Sequence, residues 1–339
     1  MSTSLVIQTS FLGDAVLTTP LLSQLANRGV VDVVTTPAAA ALLVNHPAVR
    51  NVIPYDKRDA ERGLIGLWSL ARRLRATGYD IAILAQGSWR SATLALLAGI
   101  PSRIGFNTSA GRLLYTKRVE YRADLHHAAR LLMLARPNGR VPTEDELRPS
   151  LAPGQSERVA VDALIGDRAS GGDALVALAP GSIWGTKRWP FYPELARALA
   201  DVGQVVIVGS ETDAQLAAAV SDAAPGALDA TGRLSLLASA ELIGRCRVLV
   251  TNDSAPMHLA SAMGTPTVAI FGPTVPDFGF GPLAPRSVVL GHDALPCRPC
   301  DRHGPHRCPL GHHRCMRDLP QELVAERVRA LLLSRDVVA

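Results

Sequence analysis

Where its apolar runs end, this chain repeatedly places residues able to do acid–base or phosphate chemistry. The first run is followed by TSFLGD, residues 9–14. Gly13 allows a tight turn, and Asp14 falls at the head of a helical pattern. A helix N-terminus favours an ionised carboxylate, so Asp14 reads either as a cap or as a general base for an incoming hydroxyl. A second stretch, APGSIWGTKRWP at 179–190, sets Ser182, Thr186 and Lys187 ahead of another helix. A cation, hydroxyls and a helix start are what a phosphate needs. The spacing does not match a Walker loop, so nothing points to P-loop hydrolysis. A third, VGSETD at 208–213, puts Glu211 and Asp213 where an acid holds a ribose or caps a helix. The fourth is TNDSAPMH, 251–258. Asp253 and Ser254 close an apolar run, and Pro256 suits a first helical turn, where its missing N–H costs nothing. His258, one turn in, reads as a packing residue.

These stretches need elements to hold them, and the hydrophobic rhythm supplies alternating strands and helices. Strands are expected at 4–10, 30–36, 49–55, 79–85 and 102–106. Helices are expected at 12–29, 37–46, 64–78, 88–100 and 124–136. A polar, proline-containing stretch follows, with the inter-domain boundary between about 137 and 172 and a helix beside it at 156–166. The rhythm then restarts. Strands fall at 174–180, 204–210, 227–232, 247–253, 266–272 and 287–291. Helices fall at 191–203, 212–223, 235–245, 256–263 and from Pro320 to about Ser334. Repeated β-α units imply two parallel sheets covered by helices. Ligands of such sheets bind beyond the carboxyl ends of the strands, where the four stretches lie.

Composition narrows the class. With 339 residues, 47% hydrophobic and 19% charged, the chain suits two globular domains. A net charge of +5 is mild. It favours anionic ligands without making a nucleic-acid signature, and no nucleic-acid partner is expected. No apolar run reaches the ~20 residues of a membrane span. The first residues lack a basic leader region, so a cytoplasmic protein is expected. Arg72, Arg73 and Arg75 fit a solvated helix face. The apolar stripe beside them, LIGLWSLARRL, permits peripheral membrane contact but is better explained as a core-facing helix.

Four of the five cysteines cluster: Cys297, Cys300, Cys308 and Cys315, with His303, His306, His312 and His313 among them. The first pair has C-x2-C spacing, and the second pair is wide for a structural zinc. A zinc-stapled loop, an oxidisable pair and reduced packing cysteines all stay open, none of them touching catalysis.

Taken in order, these segments resemble the ADP-heptose:lipopolysaccharide heptosyltransferases, glycosyltransferase family 9. The resemblance rests on TSFLGDAVLTTPLL, APGSIWGTKRWP, VGSETD, TNDSAPMHLASAMGTPTVAIFGPT and CRPCDRHGPHRCPLGHHRCM. The cysteine-rich tail is most similar to the heptosyltransferase II branch. The resemblance implies a GT-B fold, two Rossmann-like domains facing across a cleft. An acceptor-binding domain would span 1–155. A donor-binding domain would span 156–339, with the Cys-rich loop at 295–317 and a C-terminal helix. It implies inverting transfer of heptose from ADP-heptose to a heptose of the lipopolysaccharide inner core, with no catalytic metal or cofactor. Asp14 would be the base, and Gly13 and Asp14 would meet the acceptor. Lys187 and Ser182 would stabilise the leaving diphosphate. Asp253 would hold the heptose, Ser254 and Ala255 the phosphates, and Glu211 or Asp213 the ribose. His258 joins the donor set through the segment it sits in. Peripheral contact with the cytoplasmic face of the inner membrane would suit such an acceptor. Two alternatives stay open: another nucleotide-sugar transferase of the same fold, and a nicotinamide-dependent oxidoreductase. The latter is disfavoured by the absence of GxGxxG after the first strand.

Overall fold

The computed structural model describes residues 2–136, 139–166 and 174–333. Residues 137–138 and 167–172 of the expected boundary stretch and Ser334 at the expected helix end lie outside them. The chain forms two compact units that divide between Ala152 and Pro153.

The first unit runs β1 (Ser2–Gln8), α1 (Leu12–Leu17), α2 (Thr19–Ala26), β2 (Gly29–Thr35), α3 (Pro37–Leu43), β3 (Asn51–Pro54) and α4 (Gly63–Thr77). It continues through β4 (Ile81–Leu84), α5 (Trp89–Leu97), β5 (Ser102–Phe106), β6 (Lys117–Val119) and α6 (His127–Met133). The six strands are parallel, in the order β3-β2-β1-β4-β5-β6. Successive side chains of β1 face opposite sides of the sheet. Leu5 and Ile7 pack with Leu70 and Leu74 of α4. Val6 packs with Leu21 and Leu22 of α2 and Leu131 of α6. Burial on both faces is why β1 reads as a continuous apolar run rather than an alternating one. One acid interrupts the sheet. Asp32 of β2 is buried, and it accepts hydrogen bonds from Arg50 Nη2 at 2.6 Å and Tyr79 OH at 2.6 Å.

The second unit runs α7 (Gln155–Ile165), β7 (Leu175–Ala179), α8 (Tyr192–Leu199), β8 (Gln204–Ile207), α9 (Ala214–Ala223), β9 (Leu228–Asp229) and α10 (Leu236–Arg245). It continues through β10 (Val248–Asn252), α11 (Ala255–Met263), β11 (Thr267–Phe271), β12 (Ser287–Gly291), α12 (Arg314–Arg317) and α13 (Gln321–Leu333). Its parallel sheet has the order β12-β11-β10-β7-β8-β9. Counted from its own first strand, that is the same Rossmann order as the first unit. Its core joins Val176, Leu178, Val250 and Ile270 of the sheet to Leu195 of α8 and Val324 of α13.

Three local expectations change. The helix expected at 12–29 is two helices, parting at Thr18. Pro20, at the start of α2, has no N–H to give back to the preceding turn, and the Thr19 hydroxyl bonds Val16 O at 2.8 Å instead. Gly13 is therefore helical, the second residue of α1, rather than a turn residue. The edge strand β6 went unanticipated because its three residues, Lys-Arg-Val, carry no apolar run and are mostly exposed. Short, charged strands are how sheets blunt an edge.

In a sheet of this order the crevice opens at the switch point, between the first strand and its reversed neighbour. These are β1 and β4 in the first unit, and β7 and β10 in the second.

Candidate active site

At the first switch point, Asp14 is the third residue of α1. Its Oδ2 accepts from the Phe11 N–H at 3.2 Å, so the capping role is real. Its Oδ1 lies 3.3 Å from Nε2 of His127, the first residue of α6. Both side chains are only 13% exposed, so the pair is screened from bulk water without being sealed from it. The sequence reading missed His127, which sits more than a hundred residues away. The available signal was the His-His pair heading the helix at 126–127.

Thr9, just past β1, forms a second polar knot. Its hydroxyl bonds Gln86, just past β4. Its carbonyl accepts from Lys57 Nζ at 2.7 Å. Burial, with Arg58 and Arg90 nearby, holds the Lys57 ammonium below its usual pKa. Lys57 follows β3 and Gln86 follows β4, so the strand-end rule that singled out Asp14 would also have found them. Thr9 OH, Gln86 and Lys57 suit sugar hydroxyls and anionic substituents.

At the second switch point the structure gathers most of the residues expected to bind the donor. Lys187 ends a 3-10 turn after β7, and its Nζ donates to Asp253 Oδ2 at 2.6 Å. The same oxygen accepts from Thr274 Oγ1 at 2.7 Å. Lys187 and Asp253 side chains are 9% and 12% exposed. Charges that dry persist only when paired and hydrogen-bonded, which this cluster achieves. Asp253 is thus no helix cap; the N-cap of α11 is Ser254, whose side chain makes no capping bond. Ser254 and Ala255 bring to this point the first-turn amides that a helix cannot satisfy internally.

The cluster is braced from below. Asn252, wholly buried at the end of β10, donates to Pro180 O at 2.9 Å and accepts from Trp189 N at 3.1 Å. It ties the two switch-point strand ends together. Ser182 is buried and its Oγ accepts from Trp184 N at 3.3 Å, while the next residue, Ile183, is exposed. Thr274 and Asn252 both lie in the 251–274 stretch, TNDSAPMHLASAMGTPTVAIFGPT, but neither stands out in the sequence alone. A buried Asn or Thr announces its partner only once two distant segments meet.

The acids after β8 separate. Asp213 Oδ2 accepts from Ser210 N at 2.9 Å and from Ser210 Oγ at 2.8 Å, so it caps its own turn. Its carboxylate also lies over Gly181. A Cβ on that glycine would stand 2.3 Å from Asp213 Oδ1, so only glycine lets the β7 loop and this acid approach. Asp213 therefore borders the switch point. Glu211 is exposed beside it. His258 is buried on α11.

The Cys-rich segment packs on this site. His313 Nε2 lies 2.8 Å from Thr186 O, and the Thr186 hydroxyl donates to Pro305 O. Arg298 donates to Phe271 O at 3.0 Å and Thr274 O at 3.1 Å, and Cys300 N donates to Pro273 O at 2.8 Å. The segment thus holds both the Lys187 turn and the loop that carries Thr274. All five cysteines are free thiols. Burial first, then the neighbouring thiols, pushes Cys315 up to about 11, and Cys300 moves in the same direction. A raised thiol pKa makes the reactive thiolate scarcer. Among the described residues no three His, Cys, Asp or Glu side chains form a group able to hold a metal ion. Cys297 Sγ stands 4.0 Å from His312 Nε2.

Known proteins resemble this chain along nearly all of its length. It is 30% identical to lipopolysaccharide heptosyltransferase 2 of Escherichia coli K12, covering 98% of this chain and 99% of the relative. It is also 30% identical to lipopolysaccharide heptosyltransferase 1 of Pseudomonas aeruginosa, with the same coverage. The solved E. coli ADP-heptose lps heptosyltransferase II superposes with a TM-score of 0.79 at 28% identity, over 98% of this chain and 99% of that one. The GT-B class, two Rossmann-like parallel-sheet domains, is borne out. The model of glycosyltransferase family 9 (heptosyltransferase) matches residues 67–308. The match spans both switch points' later strands, Lys187, Asp253 and Thr274, and the chain belongs to glycosyltransferase family 9, the heptosyltransferases.

Proposed function

We propose that this enzyme moves heptose from ADP-heptose to a heptose of the lipopolysaccharide inner core, with inversion at the anomeric carbon. The observation that carries the reading is the dry Lys187–Asp253–Thr274 cluster at the second unit's switch point, beside the N-terminus of α11.

The second unit takes the donor. The diphosphate sits against the first-turn amides at Ser254 and Ala255 and against Lys187, with the Ser182 turn closing over it. Asp213, or its exposed neighbour Glu211, takes the ribose hydroxyls. Asp253 meets the heptose hydroxyls as its lysine partner turns to the phosphates. Exchanging one partner for another lets Lys187 meet negative charge without the cost of stripping it from water anew. As the glycosidic bond breaks, its electron pair passes to the departing ADP oxygen, where Lys187 and the amide dipoles stabilise the growing charge.

The first unit takes the acceptor. Asp14 removes the proton from the attacking hydroxyl, whose oxygen bonds to the anomeric carbon on the face opposite ADP. His127 holds the Asp14 carboxylate in place. Lys57, Gln86 and Thr9 meet the acceptor's polar groups. Gly13, one residue before Asp14 in α1, leaves room for the sugar. The chemistry assigned to these residues needs no metal or other cofactor. A lipid-borne acceptor suits an enzyme working in the cytoplasm, at the face of the inner membrane.

The test is release of ADP from ADP-heptose in the presence of a heptose-bearing core acceptor. Full turnover by an Asp14→Ala variant would remove Asp14 from the base role. ADP-heptose at about 100 times its Kd should raise unfolding stability by about 2.7 kcal/mol. No thermal shift with ADP-heptose, alongside a shift with another nucleotide sugar, would reassign the donor.

A further inference from the structure

Helix α4 carries two faces of different purpose. Leu67, Leu70, Ala71 and Leu74 are buried against the sheet, as the core-facing reading of the stripe requires. Three large apolar residues of the same stripe are not. Leu64 is 80% exposed, Ile65 86% and Trp68 55%. With Leu97 and Thr93 of α5 they line a shallow apolar groove of about 380 Å³. Soluble proteins expose single apolar residues freely, but a contiguous cluster of this kind marks a binding surface.

The charge beside this cluster identifies the partner. From residue 62 to 79 the chain has four arginines, Arg62, Arg72, Arg73 and Arg75, and no acid. All four are exposed. Two acids flank the run: Glu61 pairs with Arg73 at 2.8 Å, and Asp80 accepts from the Thr3 N–H at 2.8 Å. Arg72 lies over the Trp68 ring, 5.0 Å from its centroid. The outer face of α4 thus has apolar side chains in its first turns and arginines behind them. Apolar groups that enter an acyl layer need cations level with the headgroups, and long arginine stems supply that offset. A second copy of this chain is a poor fit. A two-fold contact sets the same patch against itself and doubles its positive charge with no acid across the contact to offset it.

We propose that the Leu64–Ile65–Trp68 face of α4, with its arginines, docks on the anionic surface of a phospholipid bilayer. The placement has a use that rests on the function proposed above. Helices α4 and α5 both begin just after strands β3 and β4, at the carboxyl edge of the sheet where Asp14 stands. A sugar carried on a membrane-anchored lipid would arrive at that edge.

The experiment is co-sedimentation of the full chain with phosphatidylglycerol–phosphatidylcholine vesicles, compared with phosphatidylcholine alone. The chain should pellet with the anionic vesicles and much less with the neutral ones. A Leu64→Ser/Ile65→Ser/Trp68→Ser variant should lose on the order of tenfold or more in partitioning, since apolar burial supplies much of such binding. Arg72→Gln/Arg75→Gln should lose roughly fivefold per charge. All five side chains are exposed, so melting temperatures should not move. Transfer to a delipidated core oligosaccharide should be unchanged in both variants, while transfer to acceptor embedded in vesicles should fall. Partitioning that is absent in the wild type, or unaffected by either variant, would overturn the docking surface. So would a dimer seen by sedimentation velocity that the triple variant dissociates without any change in vesicle binding. Vesicle binding without transfer to any acceptor would overturn the transferase reading and leave the surface standing. Transfer without vesicle binding would do the reverse.

Discussion

Lys187 Nζ lies 2.6 Å from Asp253 Oδ2, a buried pair joined by two segments 66 residues apart. Each residue was singled out for a separate duty, the lysine for phosphate and the acid for sugar. The structure makes them one unit, so their variants should not behave independently. Lys187→Met should lower the rate of transfer about 10²- to 10³-fold, the usual cost of one preorganised charge donor. Asp253→Asn should also be impaired. Steady-state kinetics on the double variant should show far less than the product of the two losses. Simple multiplication of the two would mean the pair does not act as a unit.

Thr274 tests the same oxygen from its other side. Thr274→Val keeps the shape and removes the 2.7 Å hydrogen bond to Asp253. A drop of roughly 5- to 30-fold in kcat/KM follows from losing about 1–2 kcal/mol of a charge-assisted bond. An unchanged kcat/KM would place Asp253's orientation under Lys187 alone.

His127 stands 3.3 Å from Asp14 Oδ1, and in the reaction proposed above it orients the carboxylate rather than reacting. Asp14→Asn should cost about 10²- to 10⁴-fold in kcat, the range for a lost general base. His127→Gln, which still offers a side-chain N–H, should retain much more activity than His127→Ala. Equal losses in the two would argue that the ring itself, and not its contact with the carboxylate, matters. Comparing their pH–rate profiles would separate a positioning role from a proton-transfer one.

Gly304 has φ +82, and a Cβ there would fall 3.0 Å from Pro273 Cγ and 3.3 Å from Lys187 Cε. Gly304→Ala should therefore destabilise by about 1–2 kcal/mol through backbone strain. It should also raise the KM for the donor by pressing on the lysine stem. Calorimetry and donor titration on one preparation would check both effects. A stability loss with an unchanged KM would show that the Cys-rich segment does not set the lysine's position.

Asp32 is a stability determinant remote from the chemistry. Burial opposes its ionisation, but the hydrogen bonds from Arg50, Tyr79 and Asn51 prevail and hold its pKa below the usual aspartate value. A depressed folded pKa means a contribution fully present above the unfolded pKa of about 3.9 and lost as pH falls through the lower folded value. Asp32→Asn should cost about 2–3 kcal/mol at neutral pH, since it leaves the Arg50 and Tyr79 donors without their ionic partner. Denaturant titrations should show the gap between wild type and variant narrowing below about pH 4. A gap that stays constant into acid would remove Asp32 from the acid response.

Much of this protein is legible in its sequence because it consists of local, periodic signals. Apolar runs of strand length alternate with helical stripes, and each β7-to-β12 strand and its helix lay close to where that pattern put it. The candidate residues followed from one rule, inspection of what comes just after a strand. Asp14, Ser182, Lys187, Asp253 and Ser254 all obey it, since parallel sheets bring every carboxyl end to the same edge. The rule did not say which residues meet. Pairing of Lys187 with Asp253, of Asp14 with His127 and of Thr274 with Asp253 depends on strand order, which crosses over at β1–β4 and β7–β10. No local spacing encodes that crossover. The split of helix 12–29 at Thr18 and the short edge strand β6 were lost for a smaller reason, because hydrogen bonds and sheet neighbours decide them rather than apolar period. The exposed side of α4 shows the same division. Its stripe was visible as Leu, Ile and Trp at helical spacing, but a helix can bury only one side against a sheet. Which of those residues went in and which stayed out was settled by the tertiary packing.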